Sequence, residues 1–247
     1  MKNYTFGLHS SLAAIHQRAF HIKEVCLLQA SQNKRIENIH NEILEKGIPH
    51  KITTKKELEQ LCGNCNHQGV VVVYNNQQST SEADLLDFCA KAQHPVLLLV
   101  LDQIVDPHNM GACIRTAEAA GANAVISSVK KSAPLTPTVR KVSCGASERI
   151  PLILAKNLSR YLKELKQIGI WIYGTQPNAG KLIYEADLRR SVALVIGAEG
   201  GGMRRLTAET CDELLALPMS GDMVSLNASV ATGIGLFEAV RQRISVE

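Results

Sequence analysis

Along the first third of the chain, short runs rich in β-branched residues alternate with stretches whose apolar residues recur every three or four positions. Val25–Leu28, Ile48–Ile52 and Gln68–Tyr74 read as strands, and Asn33–Lys46 and Thr54–Leu61 as helices, because continuous apolar runs and 3.6-residue stripes are the respective signatures. This alternation predicts a small α/β domain over residues 1–74. The seven residues Asn75–Ser81 contain nothing apolar and read as a linker. Ala83–Gln93 carries Leu85, Leu86, Phe88 and Cys89 at amphipathic spacing, so the connector extends over residues 75–94.

From Pro95 onward the pattern changes. Val96–Leu101, Ala124–Ile126, Ile170–Tyr173, Val192–Gly197 and Leu214–Leu217 are nearly unbroken apolar runs, as expected of parallel strands covered on both faces. His108–Ala120, Thr136–Cys144, Leu158–Ile168, Arg204–Cys211 and a long segment from about Leu226 to Arg243 supply the covering helices. The prediction is a second α/β domain over residues 95–247 with a parallel sheet. Ligands of such sheets bind beyond the carboxyl ends of the strands, which directs attention to the loops after Leu101, Tyr173, Gly197 and Leu217.

With 45% hydrophobic and 20% charged residues in 247, the chain falls outside disordered, collagen-like and disulfide-scaffold classes. No apolar run approaches the roughly 20 residues of a membrane span. Met1–Gly7 lacks the apolar stretch of a signal peptide, which predicts an intracellular protein. Seven scattered cysteines fit a reducing compartment. Cys62 and Cys65, with His67 nearby, resemble half a zinc knuckle without a second half, so a turn with free thiols is expected rather than a metal site. The net charge is only +4, but Lys130, Lys131, Arg140, Lys141 and Arg149 face Glu148 alone between residues 130 and 149, a local basic patch suited to phosphates. No phosphate-binding P-loop, G-x-G-x-x-G, H-E-x-x-H or G-x-S-x-G occurs, which disfavours nucleotide hydrolases, dinucleotide oxidoreductases, zinc proteases and serine hydrolases.

Three loops carry the candidate chemistry. In Asp106-Pro107-His108-Asn109-Met110-Gly111 through Arg115, the Asp-Pro pair predicts a helix start. Gly111 and Arg115 share a helix face, so the guanidinium can pass over bare backbone toward Asn109; a cap plus a surface arginine is the bland alternative. Gly197-Ala198-Glu199-Gly200-Gly201-Gly202 leaves a buried strand with glycines that let backbone approach a ligand or another segment, and Glu199 either holds a basic residue such as Arg115 in place or is solvated. In Leu217-Pro218-Met219 through Ser225-Leu226-Asn227-Ala228-Ser229, Ser225 or Asn227 can cap the last helix. Gly233 and Gly235 inside that helix cost about 1 kcal/mol each relative to alanine, which predicts close packing of another backbone against them.

Together, Asn109-x-Gly111-x-x-x-Arg115, Ile196-Gly197-Ala198-Glu199-Gly200 and Leu217-Pro218-Met219 with Ser225–Ser229 resemble the three ordered motifs of the SpoU family of RNA ribose 2'-O-methyltransferases, within the SPOUT superfamily. The likeness extends to Gly7-Leu8-His9, His67-Gln68-Gly69, Val142–Ala146 and Leu236–Arg241, nearly the whole chain.

The resemblance implies an N-terminal RNA-binding domain similar to ribosomal protein L30e, followed by a parallel-sheet methyltransferase domain whose C-terminal segment forms a trefoil knot. It further implies a cytoplasmic homodimer that takes S-adenosylmethionine, needs no metal and methylates a guanosine ribose in the peptidyl-transferase loop of 23S rRNA. Carried over residue by residue, Thr175, Ile196, Gly197, Leu217, Pro218, Met219 and Leu226 contact the cofactor. Asn109, Arg115, Glu199, Ser225 and Asn227 match the polar active-site positions. The N-terminal domain, Lys130, Lys131, Arg140 and Lys141 are the expected RNA surface. A guanidinium has no lone pair with which to accept a proton, so Arg115 is expected to stabilise the nascent oxyanion while Asn109 orients the ribose. The alternatives are a tRNA or other rRNA ribose methyltransferase of the same family, and a non-catalytic RNA-binding assembly factor.

Overall fold

The computed structural model describes residues 4–17, 22–29, 33–63, 65–74, 80–221 and 225–244. Most of the expected linker, residues 75–79, lies outside them, as do Asn64 and the 222–224 stretch of the third loop. The chain separates into two compact units, residues 1–78 with 135–149, and residues 79–134 with 150–247.

The first unit holds β1 (Tyr4–Phe6), α1 (Leu8–Gln17), β2 (Ile22–Leu28), α2 (Lys34–Glu45), β3 (His50–Thr53), α3 (Lys55–Cys62) and β4 (Val70–Tyr74). Its four-stranded sheet has the order β1-β4-β2-β3; β4 pairs antiparallel with both neighbours and β2 pairs parallel with β3. Ile36, Ile39 and Ile43 form the buried stripe of α2 against Val25, Leu27, Val70 and Val72. The pattern gave no sign of β1 or α1. Inserted in sequence between strands of the second unit, α6 (Pro137–Val142) and α7 (Ala146–Arg149) belong to this first unit. Ser10 Oγ donates to the Arg140 carbonyl at 3.1 Å, and Lys141 Nζ lies 5.3 Å from the centre of the Phe6 ring.

The second unit is built on α4 (Glu82–Lys91), β5 (Leu97–Asp102), α5 (Pro107–Ala119), β6 (Ala124–Ser128), β7 (Leu152–Ala155), α8 (Leu158–Gln167), β8 (Trp171–Thr175), β9 (Val192–Gly197), α9 (Arg205–Thr210), β10 (Glu213–Leu215) and α10 (Ala228–Ile244). All pairings in its six-stranded sheet are parallel, in the order β10-β8-β9-β5-β6-β7. The chain steps outward from β5 through β6 and β7, then resumes on the other side of β5, so the carboxyl ends of β5 and β9 flank a topological switch point where ligands bind. The apolar runs of β5, β6 and β9 are fully buried, as strands covered on both faces must be. Helix α4 belongs to this core, with Leu85 and Cys89 buried beside Tyr161 and Leu162; its Phe88 stays exposed.

Among the described residues no helix is long and apolar enough to cross a membrane, and no group of three or more His, Cys, Asp or Glu side chains is placed to hold a metal. None of the seven cysteines forms a disulfide.

Candidate active site

Helix α5 starts as its sequence dictates. Asp106 accepts from the amides of His108 and Asn109 at 3.2 and 3.1 Å, and Pro107 occupies the first turn without a donor to waste. This places Asn109 at the mouth of the sheet, where its Nδ2 donates to Glu199 Oε1 at 2.8 Å. The same oxygen accepts from Asn227 Nδ2 at 2.5 Å and from the amide of Ala228 at 3.2 Å. Asn227 Nδ2 also donates to Asn109 Oδ1 at 3.0 Å, while Asn227 Oδ1 caps α10 by accepting from the amide and hydroxyl of Ser229 at 2.9 and 2.6 Å. Because a backbone N–H must donate, this network fixes which end of each carboxamide faces which neighbour. Glu199 also sits at the positive end of the 17-residue α10, where a carboxylate is favoured by the helix dipole. The partner of Glu199 is thus a pair of carboxamides and a helix amide. Its other oxygen, Oε2, makes no hydrogen bond among the described residues, and Glu199 helps form the wall of the adjoining cavity.

That cavity, about 480 Å³, opens at the carboxyl ends of β8 and β9, within the roughly 300–1,000 Å³ range of ligand pockets. Six of the seven side chains expected to touch a cofactor line it: Thr175, Ile196, Gly197, Leu217, Met219 and Leu226. Pro218, between two of them, is exposed and outside the wall. Ser225 joins the lining. Gly197 is required by geometry: a Cβ there would lie 2.3 Å from the Gly202 carbonyl carbon and 2.4 Å from the Met203 nitrogen, both backbone atoms. The glycine loop folds back on itself as Ala198 and Gly202 exchange backbone hydrogen bonds of 3.0 and 2.8 Å. Gln176, Pro177 and Asn178 also line the cavity and were missed; their position just beyond β8 was the available signal.

The other expectations divide. Arg115 lies on α5 six residues beyond Asn109, exposed and outside the cavity wall. Gly235 is tightly packed, but against the side chain of Leu194, whose Cδ2 an added Cβ would meet at 2.4 Å; Gly233 has ordinary room, with Thr116 Cγ2 at 3.9 Å. The close approach of a second backbone expected at both is therefore absent. Lys130 and Lys131 are exposed on the turn after β6. Arg140 departs from the expected surface: it is 1% exposed, ion-paired with Glu148 at 3% exposure, and lies 5.0 Å from the Tyr74 ring centre. A buried guanidinium with its own carboxylate cannot serve an exposed basic patch, and Lys141 is only partly exposed beside Phe6.

A doubly wound parallel sheet with a glycine-walled cavity and a carboxamide–carboxylate cluster at its mouth defines an α/β enzyme for a small organic cofactor. The sequence matches the SpoU rRNA methylase family over residues 96–237, and a module described as RNA 2'-O ribose methyltransferase substrate binding over residues 4–80. The chain belongs to the SpoU rRNA methylase family. It is 46% identical to the 23S rRNA (guanosine-2'-O-)-methyltransferase RlmB of Vibrio vulnificus, over 98% of each chain. An AdoMet-bound rRNA methyltransferase from Sinorhizobium meliloti superposes with a TM-score of 0.78 at 26% identity, covering 96% of this chain and 86% of that one. The SpoU methyltransferase AviRb of Streptomyces viridochromogenes shares the fold, with a TM-score of 0.83 at 23% identity, covering 99% and 91%.

Proposed function

We propose that the protein methylates the 2'-hydroxyl of a guanosine ribose in the peptidyl-transferase loop of 23S rRNA, using S-adenosylmethionine. The observation that carries this reading is the Asn109–Glu199–Asn227 cluster at the mouth of the glycine-walled cavity, in a chain whose full-length relatives are named 23S rRNA (guanosine-2'-O-)-methyltransferases.

The cavity suits the cofactor chemically. Ile196, Leu217, Met219 and Leu226 offer apolar walls to an adenine ring and a thioether chain, and Gly197, lacking a side chain, lets the glycine loop fold back to complete the wall. When bound, S-adenosylmethionine supplies a methyl group activated by a sulfonium.

The protein's own residues must position a ribose hydroxyl and manage its proton, since a hydroxyl is a poor nucleophile at neutral pH. Glu199, in the cavity wall with its Oε1 already taken by three donors, is the carboxylate acceptor of the cluster. Asn109 and Asn227 hold that carboxylate in one orientation, which is positioning already built in before the substrate arrives. Arg115 stabilises negative charge developing on the ribose oxygen, with five N–H donors and no acceptor.

Because Arg115 lies outside the wall of its own cavity, this role assigns it to the cavity of a second copy. Support comes from α10, which packs on α5 and leaves Val230, Phe237 and Ile244 exposed at 49, 49 and 68%, an apolar stripe suited to a symmetric homodimer. In the same reading, residues 1–78 with 135–149 form the RNA-binding domain and 79–134 with 150–247 the methyltransferase domain with its C-terminal trefoil knot, in a cytoplasmic protein without a metal; α4 thus leaves the expected 75–94 connector for the second unit, and 135–149 leaves the expected 95–247 domain for the first.

The test is transfer of labelled methyl from S-adenosylmethionine to transcripts of 23S rRNA and of tRNA, with the product mapped by the resistance of the modified ribose to alkaline cleavage. Label at one guanosine of the peptidyl-transferase loop is the expected result. Label on tRNA alone, or none, overturns the reading.

A further inference from the structure

On the other flank of β5 from the cofactor cavity lies a second one of about 440 Å³, at the carboxyl ends of β6 and β7. Four cations from three separate segments line it, Lys130, Lys156, Arg204 and Arg205, and no carboxylate does. We propose that this cavity is a phosphodiester subsite that grips the RNA backbone beside the target nucleotide, an inference that rests on the RNA-methylation reading and adds to it a site built from the sheet itself.

The local structure holds the cations in place. Arg204 donates through its backbone amide and Nε to the fully buried Asp102 at 2.9 and 2.7 Å, with Nη2 2.6 Å from the same carboxylate. The guanidinium is thereby oriented at little further entropic loss, as a pre-organised anion site requires. The turn carrying Lys130 is pinned by Ser128, whose Oγ reaches the Lys130 carbonyl at 3.0 Å and Ser132 Oγ at 2.8 Å. Lys131 takes a left-handed φ of 57° there, a conformation that a non-glycine residue keeps only where its surroundings impose it. On the neighbouring strand, the Lys156 amide donates to Glu82 Oε1 at 3.0 Å, and the Val129 amide joins the two corners by donating to the Ala155 carbonyl at 3.0 Å.

Charge decides the ligand class. Asp102 answers Arg204, and Glu209 answers Arg205 at 2.6 Å, whereas no carboxylate among the described residues pairs with Lys130 or Lys156. Two uncompensated ammonium groups, beside the amino end of the ten-residue α8 whose Asn157 and Ser159 also line the cavity, favour an anion. Leu206, lining the same cavity at 56% exposure, gives an apolar rim that fits a nucleotide's sugar or base and has no use for a bare phosphate ion.

Position supports the link to catalysis. The segment from Gly202 to Ala208 divides the two cavities: Gly202, Met203 and Ala208 face the first, and Arg204, Arg205 and Leu206 the second. The β8–β9 and β6–β7 strand pairs at whose carboxyl ends the cavities open are three strand spacings apart in the sheet, about 14 Å, a short stretch of RNA.

The test compares wild type, Lys130→Ala/Lys156→Ala and Lys130→Arg/Lys156→Arg, as full chains, for binding of a fluorescent 23S rRNA transcript between 50 and 200 mM salt. Losing two single-strand phosphate contacts should make the plot of log affinity against log salt shallower by about 1.4, so the alanine variant's deficit shrinks roughly sevenfold over that fourfold salt range. The arginine variant should restore the slope, and unchanged melting temperature and S-adenosylmethionine affinity in both will show that the fold is intact. Wild-type affinity and slope in the alanine variant overturn the subsite, as does lysine-dependent binding of inorganic phosphate with RNA binding unaffected. If wild type binds the transcript in a lysine-dependent way yet transfers no methyl to it, the methylation reading fails while the subsite stands.

Discussion

The side chains of Asn109 and Asn227 bond each other directly, Nδ2 of Asn227 to Oδ1 of Asn109 at 3.0 Å, and both donate to the same oxygen of Glu199. The start of α5, the end of β9 and the start of α10 are thus tied by one carboxylate. Replacing it by alanine leaves two carboxamides and the Ala228 amide without their common acceptor. Glu199 is exposed, so water takes over part of that duty and the melting temperature of Glu199→Ala should fall by only a few degrees. Positional loss costs far more in rate, and turnover should drop roughly 100-fold. Single-turnover methyl transfer alongside calorimetric melting checks both numbers; near-normal turnover would remove Glu199 from the centre.

Arg115 gives a sharper test, because its proposed target lies in another copy. Arg115→Ala and Glu199→Ala should each be nearly inactive alone. Unfolded together and refolded as a mixture, half the dimers are mixed, and each of those contains one complete site, so about one quarter of wild-type activity should return by random assortment. Activity no higher than that of the separate variants would place Arg115 in its own subunit's chemistry or in none.

Gly197→Ala forces a Cβ to within 2.3 Å of the Gly202 carbonyl carbon, and a backbone turn cannot rotate away as a side chain can. Overpacking of this kind costs about 1–3 kcal/mol. Lost from the bound geometry, that corresponds to roughly 5- to 150-fold weaker S-adenosylmethionine binding, measurable by titration calorimetry. Gly180→Ala, in open space with φ outside the left-handed region and away from the cavity wall, should bind the cofactor as wild type does.

Strand positions in the second unit were legible because burial on both faces leaves an unbroken apolar run. Val192–Gly197 is read to the residue and β5 is displaced by one. Strand β7 escaped because Leu152–Ala155 is a four-residue edge strand with Leu154 exposed at 46%, too short and too polar in its flanks for either period. The polar cluster was visible as three loops, and the Asp106 cap could be placed from Asp-Pro alone. What charge counting could not see was the fate of Arg140. Charge is legible in sequence, but burial depends on what the fold sets opposite, and Glu148 with the Tyr74 ring encloses that guanidinium.

Arg140→Ala should therefore act on stability. It takes the guanidinium away from Glu148, 3% exposed, and breaking one side of a buried ion pair costs about 3–5 kcal/mol, a loss that urea unfolding resolves. Arg140→Met/Glu148→Leu removes both charges and should recover most of it. A single variant as stable as wild type would show that the pair is solvated after all.

Burial pushes the Cys113 thiol up to about 11 and the Cys211 thiol up to about 12, from an ordinary value near 9. A raised folded-state value means that ionisation favours the unfolded chain: the contribution is complete below pH 9 and is lost as pH climbs through 11 to 12. The urea midpoint should fall across that alkaline window. Cys113→Ala/Cys211→Ala, compared with its own midpoint at pH 8, should fall less steeply. At pH 8 both native thiols should resist alkylation until the protein is unfolded.

The segment 135–149 makes the amino-terminal unit a discontinuous one. A recombinant fragment ending near residue 80 would retain Phe6, Tyr74 and Ala13 but leave behind Lys141, Arg140 and Gly145, the groups that cover them. Nor can a nascent chain finish that unit before residue 149 has been synthesised, by which point two strands of the other sheet, β5 and β6, are already made. Dissecting the protein at its apparent sequence border thus truncates the piece it sets out to isolate.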